Sequence, residues 1–385
     1  MRIAYCTNVR LPSERAHSHQ VAQVCDALVR LGHDVHIFAP YRINTVQEDY
    51  WTYFGADVRT TIEYIGSFDP IASPLFPGVL ALWQLNMVMR RMLKTRLSRD
   101  RYDIAYTRSP ALLPSLLASG VPTIVELHQL PRIGRRLFVR RCNRCVLVAC
   151  LTSSMRDTLR SWGVKEGKLA VAGDAVDLHR FASVPTPIQA REMFGIRTDR
   201  LIVGYVGRLK TLGMEKGVGL LLQALAVLPR NTFFGLIVGG PQADRDEYEK
   251  RASELGLTST DVLFTGAIEA WRIPSALMAC DILAMPFPDV PHYRFNMSPL
   301  KMFEYMAAGK PIVTSDLPTI RDVLSEETAS FCEPGDIGSL AFALERLKDN
   351  PQEGAVRAAR AKELSLDFSW EKRMQRILSA ATMQA

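Results

Sequence analysis

The chain has 385 residues, more than one hydrophobic core ordinarily serves, so two domains are expected. Its 48 % hydrophobic and 23 % charged residues are those of a globular protein and exclude a disordered or fibrous one. No apolar run reaches the roughly eighteen residues of a spanning helix, and Met1-Arg2-Ile3-Ala4-Tyr5 reads as a strand and not a leader. Seven cysteines, an odd number, argue against a disulfide framework, so a cytosolic chain is expected. The net charge of +7 is uneven: residues 1–180 hold 24 Lys and Arg against 15 Asp and Glu, and the rest hold 23 against 25. A basic first half suggests an anionic acceptor, a membrane surface or nucleic acid. Nucleic acid is not expected, because no aromatic-interleaved signature accompanies the charge.

Residues 2–6 predict the first strand, and Asn8 to Ser18 a polar loop carrying Pro12, Glu14, Arg15 and His17. A helix follows with Val21, Val24, Cys25, Leu28 and Val29 on one face and Gly32 at its end, and then the strand Val35–Ala39. Strand, helix and strand within forty residues form a parallel β-α-β unit, with a ligand site expected at the strands' carboxyl ends. No Gly-x-Gly-x-x-Gly is present, which weighs against a dinucleotide dehydrogenase. Residues 60–66 read as a strand. Leu75 to Met89 is apolar and runs into Arg90, Arg91, Lys94, Arg96 and Arg99, which suits a core helix with a basic last turn or a helix lying in a membrane interface. Further strands are expected at Tyr102–Tyr106, Thr123–Leu127 (ending at His128) and Cys145–Leu151, the last followed by a helix capped at Thr152-Ser153-Ser154. The basic excess peaks in 132–144, which holds six arginines. Cys142-x-x-Cys145 lacks the four ligands of a structural zinc site, and its arginine neighbours could lower a thiol pKa.

Pro185-Thr186-Pro187 reads as a linker, and the pattern restarts beyond it. Strands are expected at 201–206, 233–238, 262–265 and 282–285, and helices at 217–228, 244–255 and 272–279. Gly207-Arg208-Leu209 ends the first of these strands and leads to Glu215-Lys216-Gly217 at a helix start. An arginine fork and a lysine point charge there make a two-cation clamp for a diphosphate, with Lys210 as a competing lysine. Gly239-Gly240 and Gly266-Ala267-Ile268 end the next two strands, where backbone can approach a ligand closely. Asp244-x-Asp246 looks like a metal pair but falls at a helix start, where acids are favoured anyway.

The segment Asn296–Asp316 organises the second half. Ser298-Pro299 predicts a helix start, with Ser298 as cap and Pro299 at the first position, and Gly309 and Pro311 stop the helix. Such a start seats a phosphate. Glu304 lies inside the helix, about 7 Å from its start, the distance from a diphosphate to ribose hydroxyls. The other reading of Glu304 is an exposed acid paired with Lys301. Phe368-Ser369-Trp370 opens a last amphipathic helix expected to brace one domain against the other.

Taken together, Pro12 to His19, Gly32-His33-Asp34-Val35, Gly207-Arg208-Leu209, Lys216-Gly217, Gly239-Gly240, Gly266-Ala267-Ile268 and Ser298 to Pro311 resemble, in order, the retaining glycosyltransferases of family 4. That resemblance implies a GT-B fold: two Rossmann-like α/β domains facing each other across a cleft, 1–185 on the acceptor side and 186–366 binding the nucleotide sugar, with 367–385 as the bracing helix. It implies that Arg208 and Lys216 stabilise the diphosphate leaving group and that His128 stands beside the transferred sugar. Gly207, Gly239, Gly240, Ser298, Pro299 and Leu300 would line the donor, Ile268 the base and Glu304 the ribose. Glu14, Arg15, Ala16, His17 and Ser18 would form an acceptor or phosphate loop. The family's first Glu is Asn296 here, which fits front-face transfer better than a mechanism using two carboxylates. Neither a metal nor any other cofactor is expected. The partners expected are a nucleotide sugar, an acceptor hydroxyl on a glycan, lipid-linked or anionic molecule, and an anionic membrane surface at the inner face. A sugar-nucleotide epimerase of the same fold and a non-catalytic nucleotide-sugar-binding module are the alternatives.

Overall fold

The protein is described by a computed structural model, over residues 1–13, 16–44, 46–55, 60–66, 69, 71–72, 78–211 and 213–383. It divides into two compact units: Met1–Gly173 together with Trp370–Ala385, and Asp174–Ser369.

The first unit is built on strands β1 (Arg2–Cys6), β2 (Asp34–Pro40), β3 (Thr61–Ile65), β4 (Ile104–Thr107), β5 (Thr123–Leu127), β6 (Leu147–Cys150) and β7 (Leu169–Val171). They form one parallel seven-stranded sheet in the order β3-β2-β1-β4-β5-β6-β7. The order reverses at β1, and ligands of such sheets bind outside the strands' carboxyl ends at that point. Central strands β4, β5 and β6 are buried along their whole length, as a sheet covered on both faces requires. The helix Ala16–Arg30 begins earlier than its sequence suggests, so His17 and Ser18 belong to its first turn and not to a loop.

The helix Gly78–Arg99 carries both a buried stripe and an exposed apolar face. Ala81, Leu85, Met89, Leu93 and Leu97, spaced by four, form its buried stripe. Another face leaves Val79, Trp83 and Leu80 at 84, 63 and 55 % exposure. Residues 75–77 of the expected helix lie outside the described residues. Among the described residues no helix is long and apolar enough to cross a membrane. The helix Trp370–Thr382 packs on Ala16–Arg30 and β6, inside the first unit. Cys142 and Cys145 are buried, and burial pushes their thiols up, Cys142 to about 12, which corrects the expectation of a lowered thiol.

The second unit carries β8 (Leu201–Val206), the two-residue strands β9 (Lys210–Thr211) and β10 (Met214–Glu215), β11 (Phe233–Val238), β12 (Val262–Gly266), β13 (Ile282–Met285), β14 (Ile312–Ser315) and β15 (Ser330–Cys332). Six of them form a parallel sheet in the order β12-β11-β8-β13-β14-β15, which reverses at β8, and β9 and β10 pair as a separate hairpin. Pro185-Thr186-Pro187 is not a linker. Thr186 caps the helix Pro187–Met193 in a capping box with Gln189, and the division falls earlier, after Gly173.

Candidate functional site

The reversal at β8 gathers the second unit's predicted residues. Gly207 and Arg208 follow β8, Gly239 and Gly240 follow β11, and Ala267 and Ile268 follow β12. The strand ends are stitched side by side: Gly207 N–H donates to Val238 O and Gly239 N–H to Gly266 O, each at 2.9 Å. A Cβ on Gly239 would stand 2.1 Å from Gly207 O, so only glycine lets these two loops approach. Arg208 is exposed, and its carbonyl accepts from Tyr205 Oη at 2.8 Å.

Lys216 is placed by the β9–β10 hairpin and by Gly217, which opens the helix Val218–Val227 at φ 91°. Glu215 locks this corner, accepting from Gly219 N–H at 2.6 Å and from Arg251 at 3.2 Å. Burial, then the nearby Arg208, lowers the Lys216 pKa to about 8. Lys210, the competing lysine, is paired with Glu247 at 2.5 Å, whereas Lys216 stands near a second cation, Arg208. At Gly217 a Cβ would stand 1.9 Å from Pro286 O, in a left-handed backbone besides. Gly217→Ala is therefore expected to cost at least about 1–3 kcal/mol. Urea unfolding checks this, and an unchanged midpoint would contradict the packing described.

The helix predicted from Ser298 starts at Leu300, with Pro299 in the capping position and no side-chain cap. Ser298 does not cap it: its Oγ accepts from Asp174 N–H at 2.8 Å. Pro299 O accepts from Met302 N–H at 2.9 Å, and the Ser298 O–H and the second lone pair of that carbonyl are left for other partners. The N–H groups of Leu300 and Lys301 have no intrahelical acceptor, as at any helix start. Tyr305 ties the helix to β8, accepting from Val206 N–H at 2.8 Å and donating to Val206 O at 3.2 Å. Glu304 is half-buried; burial raises its pKa, against the pull of Arg180 and then Lys301. The pairing of Glu304 with Lys301 does not form, since Lys301 is buried over the Tyr205 ring. Ile268 lines a cavity of about 470 Å³ with Phe194, Thr265, Ala267, Glu269 and Arg272. Asp246 accepts from Gln242 at 2.6 Å in the first turns of the helix Gln242–Glu254.

In the first unit, His128 follows β5 and lines a cavity of about 610 Å³ with His17, Arg108, Ile133, Leu137 and Arg141 among others. His17 is held neutral: burial, then Arg108 and His128, lowers its pKa to about 3. Ser18 is fully buried and accepts from Ser13 N–H at 3.0 Å, so it staples the chain and does not face a ligand. Glu14, Arg15 and the Ala16 side chain lie outside the described residues.

Sequence reasoning missed the network behind His128. Glu126, 1 % exposed on the interior strand β5, accepts from His128 Nε2 at 2.5 Å, Gln20 Nε2 at 2.6 Å and the Tyr106 hydroxyl. Arg373, also 1 % exposed, meets it at 2.9 Å and donates to Gly173 O at 2.6 Å and Ala172 O at 3.1 Å. Burial pushes the Glu126 carboxyl up, but Arg373 and then His128 outweigh it and hold it well below the usual range. The ionised carboxylate fixes Nε2 of His128 as a donor, leaving Nδ1 as the other ring nitrogen. Two signals were available: a carboxylate inside the apolar strand Thr123–Leu127, and an arginine on the apolar face of the last helix.

The geometry can be set against known proteins. The sequence profile of "Glycosyltransferase Family 4" matches residues 18–180, and that of "Glycosyl transferases group 1" matches residues 200–350. The chain is 32 % identical over 195 residues to a 2-deoxystreptamine glucosyltransferase of Streptomyces kanamyceticus, covering 49 % of this chain and 47 % of that one. It is 27 % identical over 300 residues to a D-inositol 3-phosphate glycosyltransferase of Rhodococcus opacus (strain B4), covering 74 and 64 %. The chain thus spans about half to two thirds of the length of these curated relatives. In fold it is similar to Anabaena HepE, solved in complex with UDP-glucose, with a TM-score of 0.72 at 19 % identity over the whole of both chains. Two reversing parallel sheets and these two profiles give one conclusion: the chain belongs to the group 1 glycosyltransferases of the GT-B fold.

Proposed function

We propose that this protein transfers a hexose-type sugar from a nucleotide-diphosphate donor to an acceptor hydroxyl, with retention of configuration and without a metal ion. The observation that carries this reading is the cradle of the second unit, where Arg208 and Lys216 stand beside glycine-built strand ends and the start of the Leu300–Ala308 helix. Arg208 and Lys216 stabilise charge growing on the departing diphosphate, so no metal is required for that task. Leu300 N–H contributes from the helix start, Glu304 accepts the ribose hydroxyls, and the base lies in the cavity at Ile268. The UDP-glucose bound to the similar HepE supports a nucleotide-sugar donor. Asn296, an amide where the family has a carboxylate, favours attack by the acceptor on the face the diphosphate leaves.

The acceptor belongs in the cavity of the first unit, beside His128. Arg108 and Arg141 line it together with Ile133 and Leu137, which are 88 and 52 % exposed, so it suits an acceptor with both an anionic and an apolar part. Arg90, close enough to Arg141 to feel its charge, continues this basic surface to the apolar face of Gly78–Arg99. That supports a lipid-linked acceptor met at an anionic membrane on the cytoplasmic side.

The donor reading is tested by a thermal-shift screen against UDP-, GDP-, ADP- and dTDP-sugars, in which one base should raise the melting midpoint. No shift with any of them would remove the assignment. Interconversion of the bound sugar without acceptor would favour an epimerase, and binding without hydrolysis or transfer a non-catalytic module. Vesicles of anionic lipid should bind the protein at low salt and neutral vesicles should not; equal binding to both would refute the basic-surface argument.

A further inference from the structure

Lys301 is a residue of the cradle whose chemistry nothing above employs. It stands in the first turn of Leu300–Ala308, yet its side chain turns inward and is 6 % exposed, and among the described residues Nζ has no hydrogen-bond partner. Nζ lies 3.4 Å from the centroid of the Tyr205 ring and 5.5 Å from that of Phe287. Gly207 closes another side, where a Cβ would stand 3.3 Å from Nζ. Aromatic faces attract a cation but accept none of its three N–H bonds in the usual sense. A buried ammonium without an anion is costly, and a methionine would fill the same space without that cost. The groups close enough to act on it are the cation Lys216 and the acid Glu304. The missing counter-charge is therefore one that arrives from outside, at the loop of Gly207 and Arg208.

We propose that Lys301 is a third cationic group of the diphosphate site, and that it takes up a proton when a nucleoside diphosphate seats between Gly207 and the start of its helix. This deepens the donor reading and rests on it. Burial, then Lys216, pushes the Lys301 pKa well below that of a free lysine, with Glu304 opposing. A bound dianion raises it again. The sign follows: protons are taken up between the free and bound pKa values, and the contribution of Lys301 to affinity is lost as pH rises through the bound value. The titratable and charged groups around it are Arg208, Glu215 and Lys216 from the β8 to β10 connection, His292 and Tyr293 from the helix Pro291–Phe295, Tyr205 from β8, and Glu304 and Tyr305 on its own helix, with Arg180 beside Glu304. Of these, Lys216 titrates at about 8 and so supplies a fraction of a proton near neutrality, while burial and Lys216 hold His292 low.

The test is isothermal calorimetry with UDP and GDP at pH 7.5 in buffers of low and high ionisation enthalpy, using the whole protein, Lys216→Arg and Lys301→Met. Wild-type protein should take up protons on binding nucleotide, and Lys216→Arg should keep most of that uptake because its own group no longer titrates. Lys301→Met should lose most of the uptake and bind about tenfold more weakly, with a melting midpoint no lower than wild type. Uptake in Lys301→Met equal to wild type, or none in wild type and Lys216→Arg despite binding, overturns the role of Lys301 and leaves the donor reading standing. If neither nucleotide binds wild-type protein, the donor reading fails and this proposal falls with it. Because wild type and Lys216→Arg decide the question between them, a Lys301→Met protein that failed to fold would not shelter the proposal.

Discussion

Arg373→Met should destabilise the first unit by about 3–5 kcal/mol, because it strips the counter-ion from a carboxylate that stays buried. Glu126 sits on β5, an interior strand of a seven-stranded sheet, and Arg373 meets it at 2.9 Å while satisfying two backbone carbonyls. Hydrogen exchange resolved by peptide should place the loss in residues 1–173 and leave 174–369 close to wild type. Adding Glu126→Gln to Arg373→Met should recover part of the loss, since the two residues form one network and their effects do not add. A double variant as destabilised as the sum of the singles would refute the pairing. The pH dependence has a definite sign. The folded pKa of Glu126 is depressed, so its contribution is present above the unfolded carboxyl value of about 4.3 and is lost as pH falls through the folded value. Glu126→Gln should flatten that acid limb.

Arg208→Ala should lower kcat/KM for sugar transfer by about 10²–10³, the usual loss when a group that meets developing charge is removed. The loss should fall mainly on kcat, since the charge on the leaving diphosphate grows in the transition state. Near-normal transfer by this variant would remove the core of the functional assignment. Lys216 adds a pH signature. With its pKa lowered to about 8, its cationic form is present below that value and lost above it, so donor affinity should weaken as pH rises past about 8. Lys216→Arg stays charged and should extend binding to higher pH.

The alternation of strands and helices is legible in the sequence because parallel strands buried on both faces are short apolar runs, as at Thr123–Leu127 and Phe233–Val238. The strands' carboxyl ends are legible too, because glycines mark them at 207, 239 and 266, and these loops do lie side by side. What is not legible depends on partners far away in the chain. Ser298 has the local chemistry of a helix cap, but its hydroxyl is committed to Asp174, and Thr186 caps a helix where prolines suggest a linker. Lys301 looks like a partner for Glu304 until the Tyr205 ring and Gly207, nearly a hundred residues earlier, are seen to enclose it. Glu126 and Arg373 are each visible as a charge in an apolar pattern, but nothing local says that one answers the other.

That answer has a consequence for biosynthesis. Glu126 is translated long before Arg373, and the whole of Asp174–Ser369 must emerge between them. At about 5–20 residues per second this is a delay of roughly 10–40 s. Through that interval the nascent first sheet holds Glu126 with His128 but without Arg373, the largest of the charges that offset its burial, so the segment translated first is the one that must wait to finish folding. Ribosome-bound chains ending before Trp370 should therefore remain protease-sensitive across residues 1–173, and supplying Trp370–Thr382 as a separate peptide should protect them.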